Sequence, residues 1–94
     1  MMKVLAVCGL GMGSSLILRM NIEDVFQAEG VKAEVEHSDA SAASGEACDF
    51  IVTTKEIAQS LQNPRGKVII LDNFIDKDEI KRVLKENHVF SLRT

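Results

Sequence analysis

The stretch KVLAVCGLGMGSS, from Lys3 to Ser15, joins a short apolar run to three alternating glycines and two serines. The run Lys3–Cys8 has the length and composition of a buried strand, and apolar residues fall at helical spacing from Ser14 onward. A strand that passes through a glycine-rich turn into a helix is typical of a parallel α/β sheet. Ligands of such sheets bind beyond the carboxyl ends of the strands, so we expect a binding crevice at this turn.

The rest of the chain continues the alternation of strand and helix. The predicted strands are Lys3–Cys8, Val31–His37, Asp49–Thr54 and Lys67–Asp72; the predicted helices are Ser14–Gly30, Lys55–Leu61 and Asp76–His88, with a loop of at most one helical turn at Asp39–Gly45. Right-handed crossovers leave few topologies for such a chain. We expect one α/β domain over residues 1–94, a four-stranded parallel sheet in the order 2-1-3-4, flanked by helices as a flavodoxin-like three-layer sandwich.

Composition and charge argue against several classes of function. Of the 94 residues, 46% are hydrophobic and 27% are charged, and the formal net charge is -3. This acidic balance gives no support to nucleic-acid binding, which needs a clustered basic face. No apolar run approaches the roughly 20 residues that span a bilayer. The apolar stretch near the start is too short for a secretion signal, so we expect a cytoplasmic protein.

The two cysteines, Cys8 and Cys48, are predicted to act separately. A reducing compartment disfavours a structural disulfide, and the absence of a CxxC spacing disfavours a metal pair. Cys48 precedes a buried strand and is interpreted as a core or boundary residue, with a redox role as the alternative. His37 and His88 are interpreted as solvated surface residues, with phosphate relay as the alternative.

The turn after the first strand has the properties of an anion site. Gly9, Gly11 and Gly13 carry no side chain that would block a ligand, and their N–H groups can line an anion-binding nest. The N-terminus of the next helix favours the same anion, and one of the two serines would cap that helix. A cysteine in this positive field is expected to have a lowered pKa and to be nucleophilic as the thiolate. The residues therefore predict covalent phosphoryl transfer through Cys8.

Other phosphate-binding motifs fit this stretch less well. A dinucleotide fingerprint needs G-x-G-x-x-G, and a Walker A loop needs a lysine where this chain has Gly13. A low-molecular-weight cysteine phosphatase has an arginine six residues after its cysteine, where this chain has Ser14. It also has an Asp-Pro general acid, whereas Asn63 precedes Pro64 here. A phosphatase-like or arsenate-reductase-like hydrolase stays an alternative.

The segment VCGLGMGSSLILRM resembles the phosphorylation loop and first helix of enzyme IIB subunits of the phosphotransferase system, especially the ascorbate-type subgroup. The resemblance covers the chain in length and element order and is most specific over residues 4–20. It implies that Cys8 accepts a phosphoryl group from a phosphohistidine of enzyme IIA. Cys8 then donates the group to a sugar, by motif subgroup L-ascorbate, which the membrane enzyme IIC holds. The residues that would cradle the phosphate are Gly9, Leu10, Gly11, Met12, Gly13, Ser14 and Ser15.

The resemblance also implies association with the membrane through enzyme IIC, and it implies no metal and no organic cofactor. Thr53 and Thr54 end the third predicted strand beside the expected crevice, where they either line the phosphate site or simply terminate the strand. Leu10 and Met12 either contact enzymes IIA and IIC or pack onto the loop's own helix. A non-catalytic regulatory domain with a IIB fold stays open, although the cysteine argues against it.

Overall fold

The computed structural model describes residues 2–7, 12–62, 64–73 and 75–90, with residues 12–15 described by their backbone alone. Strands and helices alternate along these residues. The strands are β1 (Met2–Val7), β2 (Ala33–Ser38), β3 (Phe50–Thr54) and β4 (Lys67–Leu71), and the helices are α1 (Met12–Ala28), α2 (Ala40–Ala43), α3 (Lys55–Ser60) and α4 (Lys77–Glu86).

The strands run parallel in one sheet with the order β2-β1-β3-β4, which confirms the predicted fold class and strand order. Val7, the last residue of β1, lies opposite Ser38 of β2 and Thr53 of β3. Thr53 in turn lies opposite Ile70 of β4. The carboxyl ends of the strands therefore meet at one edge, and the winding of the chain changes direction between β1 and β3.

The two faces of the sheet bear apolar clusters of different size. Side chains alternate between the faces, so Val4 and Ala6 of β1 lie in the larger cluster, while Leu5 and Val7 lie in the smaller one. Helices α1 and α4 cover the larger cluster with the buried residues Leu18, Ile22, Val25, Phe26, Ile80 and Leu84. Helices α2 and α3 cover the smaller cluster with Ala40, Ala43 and Ile57. These layers form the predicted three-layer sandwich.

The element boundaries differ from the predicted ones by one or two residues. Helix α1 begins at Met12, before the predicted start at Ser14. It ends at Ala28, and Gly30 follows in the left-handed region with φ 70°. We expected the segment Asp39–Gly45 to form a loop with at most one helical turn, and that turn is present as α2. The Asp39 carboxylate stabilises its start by accepting the Ala42 N–H at 2.7 Å.

Candidate functional site

The strand and helix ends that were predicted to form the binding crevice lie at the carboxyl edge of the sheet. Strand β1 ends at Val7 and α1 begins at Met12, so residues 8–11 alone connect them. A strand and the helix that directly follows it meet at the strand's carboxyl end. The edge therefore combines the end of β1, the N-terminus of α1 and the last residues of β3. The first N–H groups of α1 have no acceptor within the helix, and its dipole makes this end positive.

Several predicted site residues lie outside the part of the chain that the structure describes. These are Cys8, Gly9, Leu10 and Gly11, together with the side chains of Met12, Gly13, Ser14 and Ser15. The backbone from Met12 onward is already helical. Ser14 and Ser15 thus lie in the first turn of α1, and the prediction that one of them caps the helix is wrong. The reason is that the helix starts earlier than the apolar spacing alone indicates.

Thr53 is the residue whose environment the sequence could least predict. It is 0% exposed and is the only buried polar residue among those the structure describes. Its Oγ1 has no hydrogen-bond partner there. Strand alternation places its side chain on the same face as Ile51 and Val7, both in the smaller apolar cluster. A buried hydroxyl that lacks a partner destabilises a fold by about 1–3 kcal/mol, so this position needs an explanation.

Thr54, the other predicted threonine, occupies a different position. It is half-buried and takes the N-cap of α3 in an extended conformation, with φ -97° and ψ 166°. Its side chain makes no capping hydrogen bond. Alternation along β3 directs Thr54 to the face opposite Thr53. The carboxyl edge therefore holds both threonines, and Thr53 is the one that lies directly opposite the end of β1.

The loop after β4 is held against α4 at this same edge. Glu79 Oε2 accepts the backbone N–H groups of Asp72 at 2.7 Å and Asn73 at 3.0 Å. The Asn73 side chain accepts the Ile75 N–H at 3.0 Å, and Asn21 of α1 donates to the Ile75 carbonyl oxygen at 3.4 Å. These bonds connect the end of β4 to both helices that cover the larger cluster.

The first turns of α1 expose an unusual amount of apolar surface. Leu16, Ile17 and Met20 are 44%, 46% and 55% exposed, and their spacing places them side by side on the helix. We call these three residues the α1 apolar surface. Ile75, 63% exposed, lies near it because its carbonyl contacts Asn21, one turn after Ile17. This surface begins at Leu16, about one helical turn after the N-terminus of α1.

Cys48 lies at the opposite end of the sheet. It precedes β3, whose first residue, Phe50, pairs with Val4 near the start of β1. The thiol is free, half-buried and packed against the smaller cluster, which confirms the interpretation as a boundary residue. Burial, and then the carboxylates of Glu46 and Asp49, raise the pKa of the Cys48 thiol. Cys48 is therefore a neutral thiol at neutral pH.

The two histidines differ in their distance from the carboxyl edge, since His37 pairs with Ala6, one residue before the end of β1, whereas His88 follows α4. His37 lies in β2 and His88 follows α4, and both are exposed, in agreement with their interpretation as surface residues. In the described residues, no group of three or more His, Cys, Asp or Glu side chains is arranged to hold a metal ion. No helix in that part of the chain is long and apolar enough to cross a membrane.

Known proteins share this fold and this sequence pattern. The family model for the lactose/cellobiose-specific IIB subunit of the PTS, the phosphotransferase system, matches residues 3–86. The ascorbate-specific PTS EIIB component of Mycoplasma pneumoniae is 26% identical over 88 residues, which cover 90% of this chain and 93% of that protein. The lactose-specific IIB domain of the Streptococcus pneumoniae phosphotransferase system has the same fold, with a TM-score of 0.58 and 18% identity over 92% of this chain and 93% of that one.

The fold and the family match define a phosphocarrier domain of sugar transport. The chain belongs to the lactose/cellobiose-specific IIB family of the phosphotransferase system, because the family model covers most of its length. As a IIB component it is a phosphotransferase, and the family implies interaction with IIA and IIC components. The resemblance that the glycine-rich segment predicted is confirmed, and the hydrolase alternative loses its support.

Proposed function

We propose that Cys8 carries the phosphoryl group, receiving it from a phosphohistidine of enzyme IIA and passing it to a sugar bound by the membrane enzyme IIC. The observation that supports this most directly is the parallel topology of the carboxyl edge. Val7 ends the central strand β1 directly before Cys8, and the N-terminus of α1 returns to the same edge four residues later. This topology supports a site in which the Cys8 nucleophile and the positive end of α1 act on the same phosphoryl group.

The transfer chemistry follows from that arrangement. The Cys8 thiolate attacks the phosphorus of the phosphohistidine; an S–P bond forms, the P–N bond breaks, and the imidazole leaves. A sugar hydroxyl then attacks the same phosphorus and loses its proton, the S–P bond breaks, and the thiolate is regenerated. Backbone N–H groups and the helix dipole stabilise the charge on the phosphoryl oxygens. The residues proposed to surround the group are Gly9, Leu10, Gly11, Met12, Gly13, Ser14 and Ser15.

We further propose L-ascorbate as the acceptor. The Mycoplasma pneumoniae relative, which aligns over most of both chains, is described as ascorbate-specific. The order of glycines and serines after Cys8 supports the same subgroup. The protein would work in the cytoplasm and reach the membrane through enzyme IIC.

Enzyme IIA is the partner we assign to the α1 apolar surface. The donor histidine must approach Cys8 within bonding distance, so the donor protein has to cover the surface that adjoins the loop. Leu16, Ile17 and Met20 form that adjoining surface, and their exposure in the isolated chain is typical of a protein-binding patch.

Intact-mass spectrometry tests the assignment of Cys8. The chain is incubated with phosphoenolpyruvate, the general phosphotransferase proteins and a cognate enzyme IIA. We expect one added HPO₃ group on the wild-type chain and on Cys48→Ser, the matched control, and none on Cys8→Ser. An adduct that persists on Cys8→Ser would show that another residue is the carrier. An unmodified wild-type chain beside a competent donor would favour the regulatory-domain alternative.

Transfer from the phosphorylated chain tests the acceptor. Membranes that contain the cognate enzyme IIC are mixed with the phosphorylated chain and with L-ascorbate, lactose or cellobiose. We expect ascorbate to discharge the protein and to appear as a phosphate ester, while the disaccharides leave the adduct intact. Discharge by lactose or cellobiose alone would contradict the ascorbate assignment but not the role of Cys8.

A further inference from the structure

The loop after β4 holds an isoleucine in solvent near the α1 apolar surface. Ile75 is 63% exposed, the largest exposure among the large apolar residues that the structure describes. We infer that Ile75 is a second contact for enzyme IIA, and that the acidic residues around it favour a partner surface with an apolar centre and a basic rim. The inference rests on the proposed assignment of enzyme IIA to the α1 apolar surface.

Two contacts place this loop and the start of α4 along α1. Asn21 Nδ2 donates to the Ile75 carbonyl oxygen at 3.4 Å, and Lys77 Nζ lies 2.7 Å from the Asp24 carboxylate. Asn21 follows Ile17 by four residues, so the two are neighbours on the helix surface. Helical side chains lean toward the N-terminus of their helix, so Asn21 leans toward Ile17. The backbone of Ile75 therefore lies beside the α1 apolar surface.

Hydrogen bonds hold the loop in one conformation. Glu79 Oε2 accepts the N–H groups of Asp72 at 2.7 Å and Asn73 at 3.0 Å. Asn73 Oδ1 accepts the Ile75 N–H at 3.0 Å, and the Asn73 carbonyl oxygen accepts the Asp76 N–H at 3.3 Å. A loop that is already ordered loses less conformational entropy when a partner covers it. The loop therefore presents Ile75 as a preorganised apolar contact.

The charges around Ile75 are mostly acidic. Exposed carboxylates flank it at Asp72, Asp76 and Asp78. Lys77 is the one basic residue of the sequence from 72 to 79, and it is paired with a carboxylate of α1. An apolar residue within an acidic rim is complementary to a protein surface with an apolar centre and basic residues around it. A donor that covers the α1 apolar surface also meets this loop, because the two adjoin.

Two matched pairs of variants test the apolar contact and the charged rim. Ile75→Ser removes the apolar side chain, and Ile70→Ser makes the same change at a residue of β4 that is 45% exposed. Alternation directs Ile70 to the face of the smaller cluster, away from α1. Asp78→Lys reverses a charge in the first turn of α4, and Glu56→Lys reverses one in the first turn of α3.

Each chain is measured for its urea midpoint, for KM and kcat with phosphorylated enzyme IIA, and for its transfer rate to membranes that contain enzyme IIC. We expect Ile75→Ser to raise the KM about fivefold with little change in kcat, because it removes an apolar contact made on docking. Asp78→Lys should raise the KM about threefold, and NaCl should raise the wild-type KM by screening the rim charges. Ile70→Ser and Glu56→Lys should keep the wild-type KM.

A wild-type KM for Ile75→Ser would overturn the inference, and so would an equal rise in Ile70→Ser. Slower transfer from Ile75→Ser to enzyme IIC, with an unchanged KM for enzyme IIA, would overturn it by assigning the loop to enzyme IIC. An unchanged KM for Asp78→Lys would overturn the basic rim. Failure of the proposed function is distinct: Ile17→Glu would then leave the KM unchanged, or the wild-type chain would accept no phosphoryl group at Cys8.

Discussion

The two cysteines of this chain adjoin opposite ends of the sheet, since Cys48 precedes β3 and Cys8 follows the last residue of β1 in the sequence. Cys48 is half-buried beside Glu46 and Asp49, and burial together with these carboxylates raises its pKa. Cys8 follows β1 at the edge that holds the positive end of α1, which is expected to lower the pKa of that thiol. We therefore propose nucleophilic chemistry for Cys8, whereas Cys48 packs against the smaller cluster.

Alkylation should distinguish these two thiols. We expect iodoacetamide at about pH 7 to modify Cys8 much faster than Cys48, because the thiolate is the reacting form. In Cys8→Ser, the remaining reaction at Cys48 should accelerate only as the pH rises past the ordinary thiol value of 9.0, since its pKa is raised. Peptide mass spectrometry over time gives both rates. Equal rates at neutral pH would contradict the prediction that Cys8 is activated.

At Gly66 there is too little space around the backbone for a side chain. An added Cβ would lie 2.7 Å from Cys48 Sγ and 2.8 Å from the Cys48 carbonyl oxygen. We expect Gly66→Ala to destabilise the fold by about 1–3 kcal/mol, because the backbone oxygen cannot move away freely. Gly45→Ala is the control, since nothing lies within 4 Å of its added Cβ. Urea unfolding of both variants checks this; equal midpoints would show that the segment around Cys48 yields easily.

At the scale of the elements, α1 has two apolar faces, one buried and one exposed. Its inner face contributes Leu18, Ile22 and Val25 to the larger cluster, while its first turns expose the α1 apolar surface. The Arg19–Glu23 ion pair, at 3.7 Å, lies between these faces on exposed side chains and contributes little to stability. The apolar residues of α1 therefore divide between the core and an exposed surface, which we propose enzyme IIA covers.

Substitution on the α1 apolar surface should weaken the encounter with enzyme IIA. We expect Ile17→Glu to raise the KM for phosphorylated enzyme IIA about tenfold with little change in kcat, because the change buries a charge in an apolar contact. Gln27→Glu is the matched control, an exposed position about 15 Å further along the same helix. Steady-state phosphorylation kinetics, with circular dichroism to verify folding, measure the effect. An equal KM for both variants would remove enzyme IIA from this surface.

The two long helices are both followed by a residue in the left-handed conformation, but the residue type differs between them. Glycine after α1 is a common stop signal, and Gly30 lies there with φ 70°. The same left-handed position after α4 is taken by His88, with φ 60°. His88 N–H donates to the Lys85 carbonyl at 3.0 Å and Val89 N–H to that of Leu84 at 3.1 Å. Burial of Val89 holds this turn in place.

For the whole molecule, the two apolar clusters are unequal. Among the described residues, α3 has no buried side chain and α2 has only Ala43, whereas α1 and α4 supply most of the larger cluster. Hydrophobic stabilisation grows with the apolar area buried, so the layer formed by α1 and α4 contributes most of the fold's stability.

Core truncations should reveal this inequality. We expect Leu84→Ala, fully buried in α4, to destabilise the chain by about 2–5 kcal/mol through lost contacts and a cavity. Ile57→Ala, half-buried in α3, should destabilise it by about 1 kcal/mol. Urea denaturation gives both free energies of unfolding. A larger loss from Ile57→Ala would mean that α3 is more important to the fold than its burial indicates.

Much of this architecture could be predicted from local patterns. Apolar runs and alternation identified all four strands, and helical spacing identified the long helices. Crossover rules left few topologies, and the favoured strand order 2-1-3-4 is confirmed. The exact start of α1 could not be predicted, because the spacing that marks a helix begins only with its buried residues. The exposure of Leu16 and Met20 could not be predicted either. The sequence shows that these residues are apolar, but not whether another element packs against them.

By itself, the sequence determined the fold class, the order of the elements and the family, because periodicity, glycine placement and the residues after Cys8 are local properties. The tertiary structure alone decided which residues from distant parts of the chain meet. The register of β1 against β3 placed Thr53 opposite Val7 and buried its hydroxyl without a partner. That outcome depends on strand pairing and helix packing over long separations in the chain, which no single stretch of sequence encodes.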